Sequence, residues 1–413
     1  MRIESNSERI VAEPALATAD AGIPDDRPIA ISGSRPLKVT IVTGAIAPYT
    51  NRFYDACASS LDIKLEVLAC EFREPQRNWD VPSPKRYDFK LLNGIRYHAS
   101  YTSHIYFNPG VVHHLVATKP DIVLIEGFSP TMALAALTAR AMGIPIGVMT
   151  DGSVETDPGQ QSFIHRAMRN LIVPRAVVGI GASADSLRLL GQYGLAPERG
   201  IIVPITTAWD GPMPSQFAGF DDRPFDVLFS GAVDDNRKGA LFFADVIARA
   251  AACGYKLRVR VTGDGPLRQT LEERFQAGGI DAHFDGYLQQ HELPAAYTSA
   301  RLLLFPSRGD PWGLVANEAL QCGTPVIASR HAVSGVELVD RFSAGLVLPL
   351  EAAVWTEHAI RLARKDRAAW LAHQAGCPAA CAWFTVEAAV EAFWRSTAKA
   401  AGITLDPKHG AAT

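Results

Sequence analysis

The sequence is poor in the features that mark secreted, membrane-spanning and nucleic-acid-binding proteins. Its 413 residues carry 40 Lys and Arg against 43 Asp and Glu, for a formal net charge of −3. The chain therefore has no excess of positive charge that would indicate a nucleic-acid partner. The start of the chain contains no continuous apolar stretch of signal-peptide or transmembrane length, because charged residues such as Glu4, Glu8 and Glu13 interrupt it. We expect a protein that is neither secreted nor membrane-spanning.

Cysteine is also scarce. The chain contains six cysteines, at positions 57, 70, 253, 322, 377 and 381. They lack the two paired spacings of a zinc site, and Cys377 and Cys381 alone form a close pair. This pattern predicts ordinary reduced thiols, a cytoplasmic setting and no bound metal.

The length and the alternation of apolar segments indicate two α/β domains. One hydrophobic core usually stops growing at roughly 250–300 residues, so 413 residues predict two. From Leu37 onward, short β-branched runs alternate with longer amphipathic stretches, which is typical of parallel strands joined by crossover helices. Residues 1–36 show no such periodicity and are predicted to form a mobile leader.

The domain boundaries follow from where this alternation pauses. The first domain is predicted over 37–205, with a linker rich in proline and aspartate over Thr206–Pro224. The second domain is predicted over 206–385, including the linker. A final helix over 386–401 is expected to cross back to the first domain. The predicted strands are Lys38–Thr43, Asp121–Ile125, Pro145–Met149, Ala176–Ile180, Gly200–Val203, Phe225–Phe229, Lys256–Thr262, Ala282–Phe284, Arg301–Phe305 and Pro325–Ala328.

The segment Phe305–Ala328 holds the strongest chemical signal. A buried strand leads into a loop containing Asp310, and a helix follows that begins near Gly313. The first amides of a helix lack intrahelical partners, so those of Gly313 and Leu314 suit a diphosphate. Glu318, one turn further on, can accept both hydroxyls of a ribose. The ordinary structural alternative is that Asp310 is a loop or capping acid and that Glu318 is a solvated helix residue.

Three other loops follow predicted strands of the same sheet, so they meet at one edge. Gly231 and the cations Arg237 and Lys238 lie in the first loop, and the cations would approach a phosphate. Gly263 permits a tight turn and close backbone approach in the second loop, and without the other loops a simple turn would be the preferred interpretation. The last loop holds Tyr287 and Leu288, which either offer backbone groups to a base or pack internally.

These residues resemble the retaining family 4 glycosyltransferases, whose GT-B fold consists of two facing Rossmann-like domains. The family signature is two glutamates separated by seven residues and then a Gly-x-Pro-Val turn. Asp310 and Glu318 have that spacing, and Gly323–Val326 supplies the turn. The sequence departs from the family twice, because Asp310 is one methylene shorter than glutamate and Ala232 replaces a frequent arginine.

The resemblance implies a role for each matching position. Glu318 binds the ribose, and the amides of Gly313 and Leu314 bind the diphosphate. Lys238 neutralises that diphosphate, and Asp310 contacts hydroxyls of the donor sugar. No cofactor is required beyond the nucleotide diphospho-sugar, which is a co-substrate.

The first domain is expected to form the acceptor side. Asp151 resembles a family residue near the anomeric carbon, and a helix-capping role is its alternative. Tyr49, Asn51 and Arg52 fall where the family lines its acceptor cleft. The basic and apolar segment Ile164–Arg175 is either a domain helix with a solvated basic face, which we favour, or a peripheral membrane-binding helix.

The predicted function is transfer of a hexose-type sugar from a UDP- or GDP-sugar to a glycan or lipid-linked glycan. Two alternatives stay open. One is a nucleotide-sugar epimerase or phosphorylase with the same fold. The other is a catalytically silent nucleotide-sugar-binding partner, suggested by Asp310 and Ala232.

Overall fold

The computed structural model describes residues 35–73, 79–98, 104–160, 162–212 and 214–403. The leader predicted over 1–36 lies outside these ranges except for its last two residues. Arg35 is anchored, since its guanidinium donates hydrogen bonds of 2.6 and 2.7 Å to the carboxylate of Asp121.

The first domain is built on a seven-stranded parallel sheet. Its elements in chain order are β1 (Leu37–Thr43), α1 (Pro48–Ser60), β2 (Ile63–Ala69), β3 (Asp88–Leu91), β4 (Ile95–His98), β5 (His104–Phe107), α2 (Gly110–Thr118), β6 (Ile122–Glu126), α3 (Pro130–Ala141), β7 (Ile146–Thr150), α4 (Phe163–Ile172), β8 (Val178–Gly181), α5 (Ala184–Gln192) and β9 (Gly200–Ile202). The sheet order is β3-β2-β1-β6-β7-β8-β9, and β4 and β5 form a separate antiparallel hairpin.

The second domain is built on a six-stranded parallel sheet with the order β12-β11-β10-β13-β14-β15. Its elements, with the final helix, are β10 (Phe225–Ser230), α6 (Ala240–Ala252), β11 (Val259–Thr262), α7 (Arg268–Ala277), β12 (Ala282–Gly286), α8 (Leu293–Thr298), β13 (Ala300–Phe305), α9 (Val315–Gln321), β14 (Val326–Ser329), β15 (Gly345–Leu348), α10 (Ala352–Ile360), α11 (Arg367–Trp383) and α12 (Val386–Ala400). Two π-helical turns lie at Gly335–Asp340 and Arg361–Lys365.

The predicted α/β class with two parallel sheets is confirmed, and each predicted strand is present to within three residues at either end. The central strands are apolar on both sides because helices cover both faces of each sheet. In β13, for example, all six residues are buried. This burial leaves the loops at the carboxyl ends of the strands to carry polar chemistry.

Helix α12 crosses back to the first domain, as predicted. Phe393 is fully buried there and packs edge-to-face on Phe53 of α1, with 5.5 Å between the ring centroids. Val390 and Trp394 join the same core. Helix α12 therefore completes the core under the first sheet.

The linker predicted over Thr206–Pro224 is largely irregular, but its second half is not loose. Arg223 is fully buried and donates to the carbonyls of Ala300 at 2.7 Å and Gly323 at 2.9 Å. Burial lowers the pKa of Arg223 to about 10. The linker-like composition of this segment did not predict that Arg223 would anchor it to the second domain.

The segment Ile164–Arg175 forms α4 and a short 3₁₀ turn. Phe163 and Ile164 at its start are 84% and 72% exposed, whereas Arg169 is buried against Asp157 at 2.9 Å. No helix within the described ranges combines the length and the apolar character that crossing a bilayer would require.

Candidate functional site

Lys238 and Asp310 form a buried ion pair at the carboxyl edge of the second sheet. Lys238 follows β10 and Asp310 follows β13, and these two strands are hydrogen-bonded neighbours. The Lys238 ammonium contacts Oδ2 of Asp310, and the two residues are only 7% and 6% exposed. Buried charges are stable only when paired, so each of these groups depends on the other. The structure thus brings together the two predicted donor-site charges.

The loop after β10 is shaped so that Lys238 points into this edge. Oδ1 of Asp234 accepts hydrogen bonds from the amides of Arg237 at 2.9 Å and Lys238 at 3.2 Å. Gly239 has φ +69°, and a Cβ there would lie 2.2 Å from the carbonyl oxygen of Pro306. The carbonyl of Arg237 accepts from Ser307 Oγ at 2.9 Å. Arg237 thus has an anchoring contact between the two loops in addition to its predicted phosphate role.

Glu318 lies one turn into α9 and is 5% exposed. The phenol of Tyr297 donates to Oε2 of Glu318 at 2.5 Å and lies 2.9 Å from Oγ of Ser230. Burial raises the pKa of Glu318 to about 7, although the Tyr297 hydrogen bond and Lys238 act in the opposite direction. Glu318 is therefore a buried acceptor and not the solvated helix residue of the structural alternative. Sequence reasoning missed Tyr297, since nothing in the chain distinguishes it from a packing tyrosine.

Gly231 and Gly263 mark a close approach of two strand-end loops. Both have positive φ, +130° and +127°, and a Cβ on Gly263 would lie 1.9 Å from the Gly231 carbonyl oxygen. The amide of Gly231 donates to Thr262 O at 2.9 Å. The backbone of these loops therefore forms one continuous surface beside Lys238, whose side chain lies 3.5 Å from the Cβ position of Gly231.

Gly313 and Leu314 immediately precede α9, in which Leu314 occupies the N-cap position. Gly313 has φ +93°, and a Cβ there would come within 2.6 Å of the Phe305 ring. Ser334 Oγ holds this turn by donating to Gly313 O at 2.8 Å. Because α9 has only seven residues, local amides rather than a long helix dipole would act here.

Tyr287 and Leu288 follow β12 at the same edge of the second sheet. Tyr287 is 40% exposed, whereas Leu288 is partly buried against the apolar core around β13. Tyr287 is therefore accessible to a ligand, and the packing alternative fits Leu288 better.

On the first domain, Asp151 is exposed and lines a cavity of about 80 Å³ at the carboxyl edge of the first sheet. Tyr49 and Glu126 line the same cavity. Asn51 and Arg52 lie in α1 and not in a loop, and their partners are structural. Asn51 is buried and accepts from the Tyr87 phenol at 2.8 Å.

Arg52 pairs with Asp210 of the linker and donates to Thr207 O at 3.1 Å. Asn51 and Arg52 thus anchor α1 and the linker, and the acceptor-lining role expected of them stays a prediction.

The loops after β7 and β14 meet across the cleft between the domains. Glu155 Oε1 lies 2.8 Å from Nδ1 of His331, and the backbone carbonyl of His331 accepts the Asp310 amide at 3.0 Å. A Cβ on Gly309 would lie 3.9 Å from Thr156 Cγ2. The acceptor-side loop that begins at Asp151 thus adjoins the loop that carries Asp310.

The described residues contain no group of three or more His, Cys, Asp or Glu side chains arranged to hold a metal ion. The six cysteines are all free thiols. The metal-free scheme remains a prediction.

Comparison with known proteins agrees with this geometry. Residues 224–365 match the family model described as glycosyl transferases group 1. The chain is 27% identical over 242 residues to a sulfoquinovosyl transferase of Arabidopsis thaliana, covering 54% of this chain and 45% of that protein. It is 28% identical over 246 residues to a D-inositol 3-phosphate glycosyltransferase of Catenulispora acidiphila, covering 52% and 57%. The chain spans about half the length of these relatives.

Solved structures share the whole architecture. Anabaena HepE in complex with UDP superposes with a TM-score of 0.66 at 15% identity, covering 88% of this chain and 100% of that one. The apo lipopolysaccharide galactosyltransferase WaaB gives 0.64 at 15%, covering 88% and 99%. The fold of the chain is therefore GT-B, and residues 224–365 of its second domain are similar to the glycosyl transferases group 1 family.

Proposed function

We propose that this protein is a retaining glycosyltransferase that moves a hexose-type sugar from a UDP- or GDP-sugar to a hydroxyl of a glycan, glycolipid or polysaccharide precursor. The observation that carries this proposal is the buried Lys238–Asp310 pair beside the buried acceptor Glu318, at the carboxyl edge of the domain that matches group 1. A cation, a hydroxyl acceptor and turn amides within one edge are the groups that a nucleotide diphosphate requires.

Each donor group has a distinct task in this proposal. Oε2 of Glu318 is occupied by Tyr297, which leaves Oε1 to accept the ribose hydroxyls. Lys238 and the amides of Gly313 and Leu314 hold the diphosphate. Asp310, in contact with Lys238, accepts hydroxyls of the sugar next to that diphosphate. Asp151 faces the acceptor from the opposite domain.

In the transfer step, the bond between the anomeric carbon and the phosphate oxygen breaks while the acceptor hydroxyl oxygen bonds to the same face of that carbon. The acceptor proton goes to the departing phosphate oxygen, so charge and atoms balance. Negative charge builds on the diphosphate, and fixed donors such as Lys238 stabilise it. Removing one such donor typically lowers turnover about 100- to 1,000-fold.

Relatives support the sugar-nucleotide part of the proposal. HepE has been crystallised with UDP and with UDP-glucose. Another relative, 36% identical over 87 residues, is a GDP-mannose-dependent mannosyltransferase of Mycobacterium tuberculosis. These names favour a nucleoside diphospho-sugar as the donor, and they do not distinguish between a uridine and a guanosine nucleotide. The six free thiols agree with a reducing, cytoplasmic setting, which is part of the proposal.

The test is a panel of intact UDP- and GDP-sugars assayed for thermal stabilisation, then for nucleotide release with and without glycan or lipid-linked acceptors. Stabilisation by one donor and acceptor-dependent release of its nucleotide are expected. NMR of the product linkage should show the anomeric configuration of the donor. An inverted linkage would refute the retaining mechanism.

The alternatives give different results in the same panel. An epimerase would release a sugar product with no acceptor present, and a phosphorylase would release a sugar phosphate only when inorganic phosphate is added. A silent binding partner would be stabilised by donor and release no nucleotide with any acceptor.

A further inference from the structure

The cavity at the carboxyl edge of the first sheet contains one buried hydroxyl that the protein does not satisfy. Thr206, at the start of the linker, lines this cavity and is 3% exposed. Among the described residues, its Oγ1 has no hydrogen-bond partner. A buried hydroxyl without a partner costs free energy, so native proteins rarely retain one without a reason. Thr206 is therefore a candidate contact for a bound group.

The other two threonines that line the cavity are satisfied within the first domain. Thr50 Oγ1 donates to Ala47 O at 2.9 Å. Thr150 Oγ1 accepts from the amide of Gly152 at 3.0 Å. The missing partner thus distinguishes Thr206 from the residues of the same type beside it.

The position of Thr206 is fixed from the second domain. The side-chain amide of Asn317 donates to the carbonyl of the preceding residue, Ile205, at 3.0 Å. Asn317 is fully buried, and its Oδ1 accepts from Nε1 of Trp312 at 2.8 Å. Because Asn317 immediately precedes Glu318 in α9, the wall of the cavity that carries Thr206 is tied to the helix of the donor site.

The size and the lining of the cavity limit what it can hold. Its volume is about 80 Å³. An engineered apolar cavity of about 150 Å³ admits benzene, so the smaller cavity admits a few heavy atoms and not a six-membered ring. Apolar side chains form much of the wall, namely Phe53, Met149, Ile180, Val203, Pro204 and Ile205. Such a wall suits C–H groups, whereas Thr206 suits one hydroxyl. The hydroxymethyl arm of a sugar combines both within this volume.

We propose that the cavity holds the hydroxymethyl arm of a hexose unit in the acceptor and that Thr206 selects acceptors with such an arm. The assignment to the acceptor rests on the proposed function, which places the acceptor at this edge of the first domain. The Thr206 hydroxyl donates to the oxygen of the arm, and a carboxylate that lines the same cavity, Glu126 or Asp151, accepts its proton. A 6-deoxyhexose fills the same space and leaves Thr206 unsatisfied.

The probes for the test are the methyl glycosides of glucose, galactose and mannose, each compared with its 6-deoxy counterpart. Titration of the full chain, followed by saturation-transfer NMR, measures their Kd values without donor turnover. We expect the wild type to bind at least one hexoside about tenfold more tightly than the matching deoxy compound. Thr206→Val keeps the shape of the side chain without its hydroxyl and should bind both compounds equally. Thr206→Ser should retain the preference.

Thr207→Val is the matched control. Thr207 is 2% exposed, and its hydroxyl donates to Trp209 O at 2.8 Å. This variant should lose stability in denaturant unfolding and keep the preference for the hydroxymethyl arm. Thr206→Val removes an unsatisfied group, so it should be at least as stable as the wild type. Lost selectivity without lost stability is not expected of a threonine with a purely structural role.

Absence of binding of every hexoside to the wild type would overturn the proposal, as would equal affinity for each hexoside and its deoxy counterpart. A preference that persists in Thr206→Val would assign the selectivity to another group. Lower stability of Thr206→Val with unchanged selectivity would give its hydroxyl a structural role. Acceptor-dependent nucleotide release, measured separately, tests the proposed function. Release without hexoside selectivity would refute this inference alone and leave the proposed function standing.

Discussion

The phenol of Tyr297 and the carboxylate of Glu318 share a 2.5 Å hydrogen bond in the interior of the second domain. Burial raises the pKa of Tyr297 well above its usual value, so the phenol remains a donor at every working pH. The carboxylate of Glu318 titrates instead, because burial raises its pKa to about 7. The group proposed to hold the ribose therefore changes charge near neutrality.

Donor affinity should depend on pH. A protonated Glu318 accepts ribose hydroxyls poorly, so the Kd for an intact nucleotide-sugar should rise as the pH falls below about 7. Calorimetric titration between about pH 6 and pH 8 measures this dependence. The variant Glu318→Gln should bind weakly with little pH dependence. An identical pH profile in this variant would assign the titration to another group.

Stability should change in the opposite direction. In the unfolded chain Glu318 releases its proton near the usual glutamate pKa of 4.5, whereas in the folded protein its pKa is about 7. The folded state therefore binds more protons in this window, and the free energy of unfolding contributed by this group falls as the pH rises through it. Denaturant unfolding of the wild type and of Glu318→Gln should diverge across the window.

Tyr297→Phe should move the donor-affinity midpoint to higher pH. The phenol hydrogen bond favours the charged carboxylate, so its loss raises the pKa of Glu318 further. Turnover at saturating donor and high pH should remain close to that of the wild type. An unchanged midpoint accompanied only by lower stability would leave Tyr297 with a purely structural role.

Lys238→Met should cost both stability and turnover. Asp310 would be left buried without its partner, and breaking a buried pair costs about 3–5 kcal/mol. The double variant Lys238→Met/Asp310→Asn removes both charges and should recover most of the free energy of unfolding. Its turnover should stay at least 100-fold low.

The double variant separates the two roles of Lys238. Wild-type turnover in that protein would contradict the assignment of Lys238 to the diphosphate. Recovery of both stability and turnover would show that the pair serves folding alone.

Phe393→Ala should destabilise the first domain by about 3–5 kcal/mol, because a fully buried aromatic side chain is removed. Hydrogen exchange should report lost protection in β1 and α1. The matched variant Phe243→Ala, also fully buried but in the second domain, should instead expose amides of β10 and β11. Equal loss of protection in both domains from either variant would contradict two separately packed cores.

Much of the fold is readable from the sequence, because short apolar runs such as Leu302–Phe305, repeated between amphipathic stretches, favour buried parallel strands. Strand β2 was missed, although the alternation of Lys64 and Glu66 with apolar residues is itself a strand pattern. Edge strand β15 is half-buried and begins with Gly345, so its hydrophobic pattern in the sequence is weak. Loop positions are harder still. The positions of Lys238 and Asp310 after predicted strands placed both residues at one edge of the sheet. The roles of Tyr297 and Arg223 depend on their neighbours in the folded structure, which the spacing of residues in the sequence does not reveal.

The return of α12 to the first domain has a consequence for how the protein is made. Domains generally fold as they emerge from the ribosome, N-terminal first. The core of the first domain must wait for α12, because the Phe53 side of α1 stays uncovered until Phe393 has been synthesised. Throughout translation of the second domain the nascent chain therefore exposes an apolar surface to chaperones. A message truncated within that domain yields a first domain whose core lacks Phe393 and the other side chains of α12.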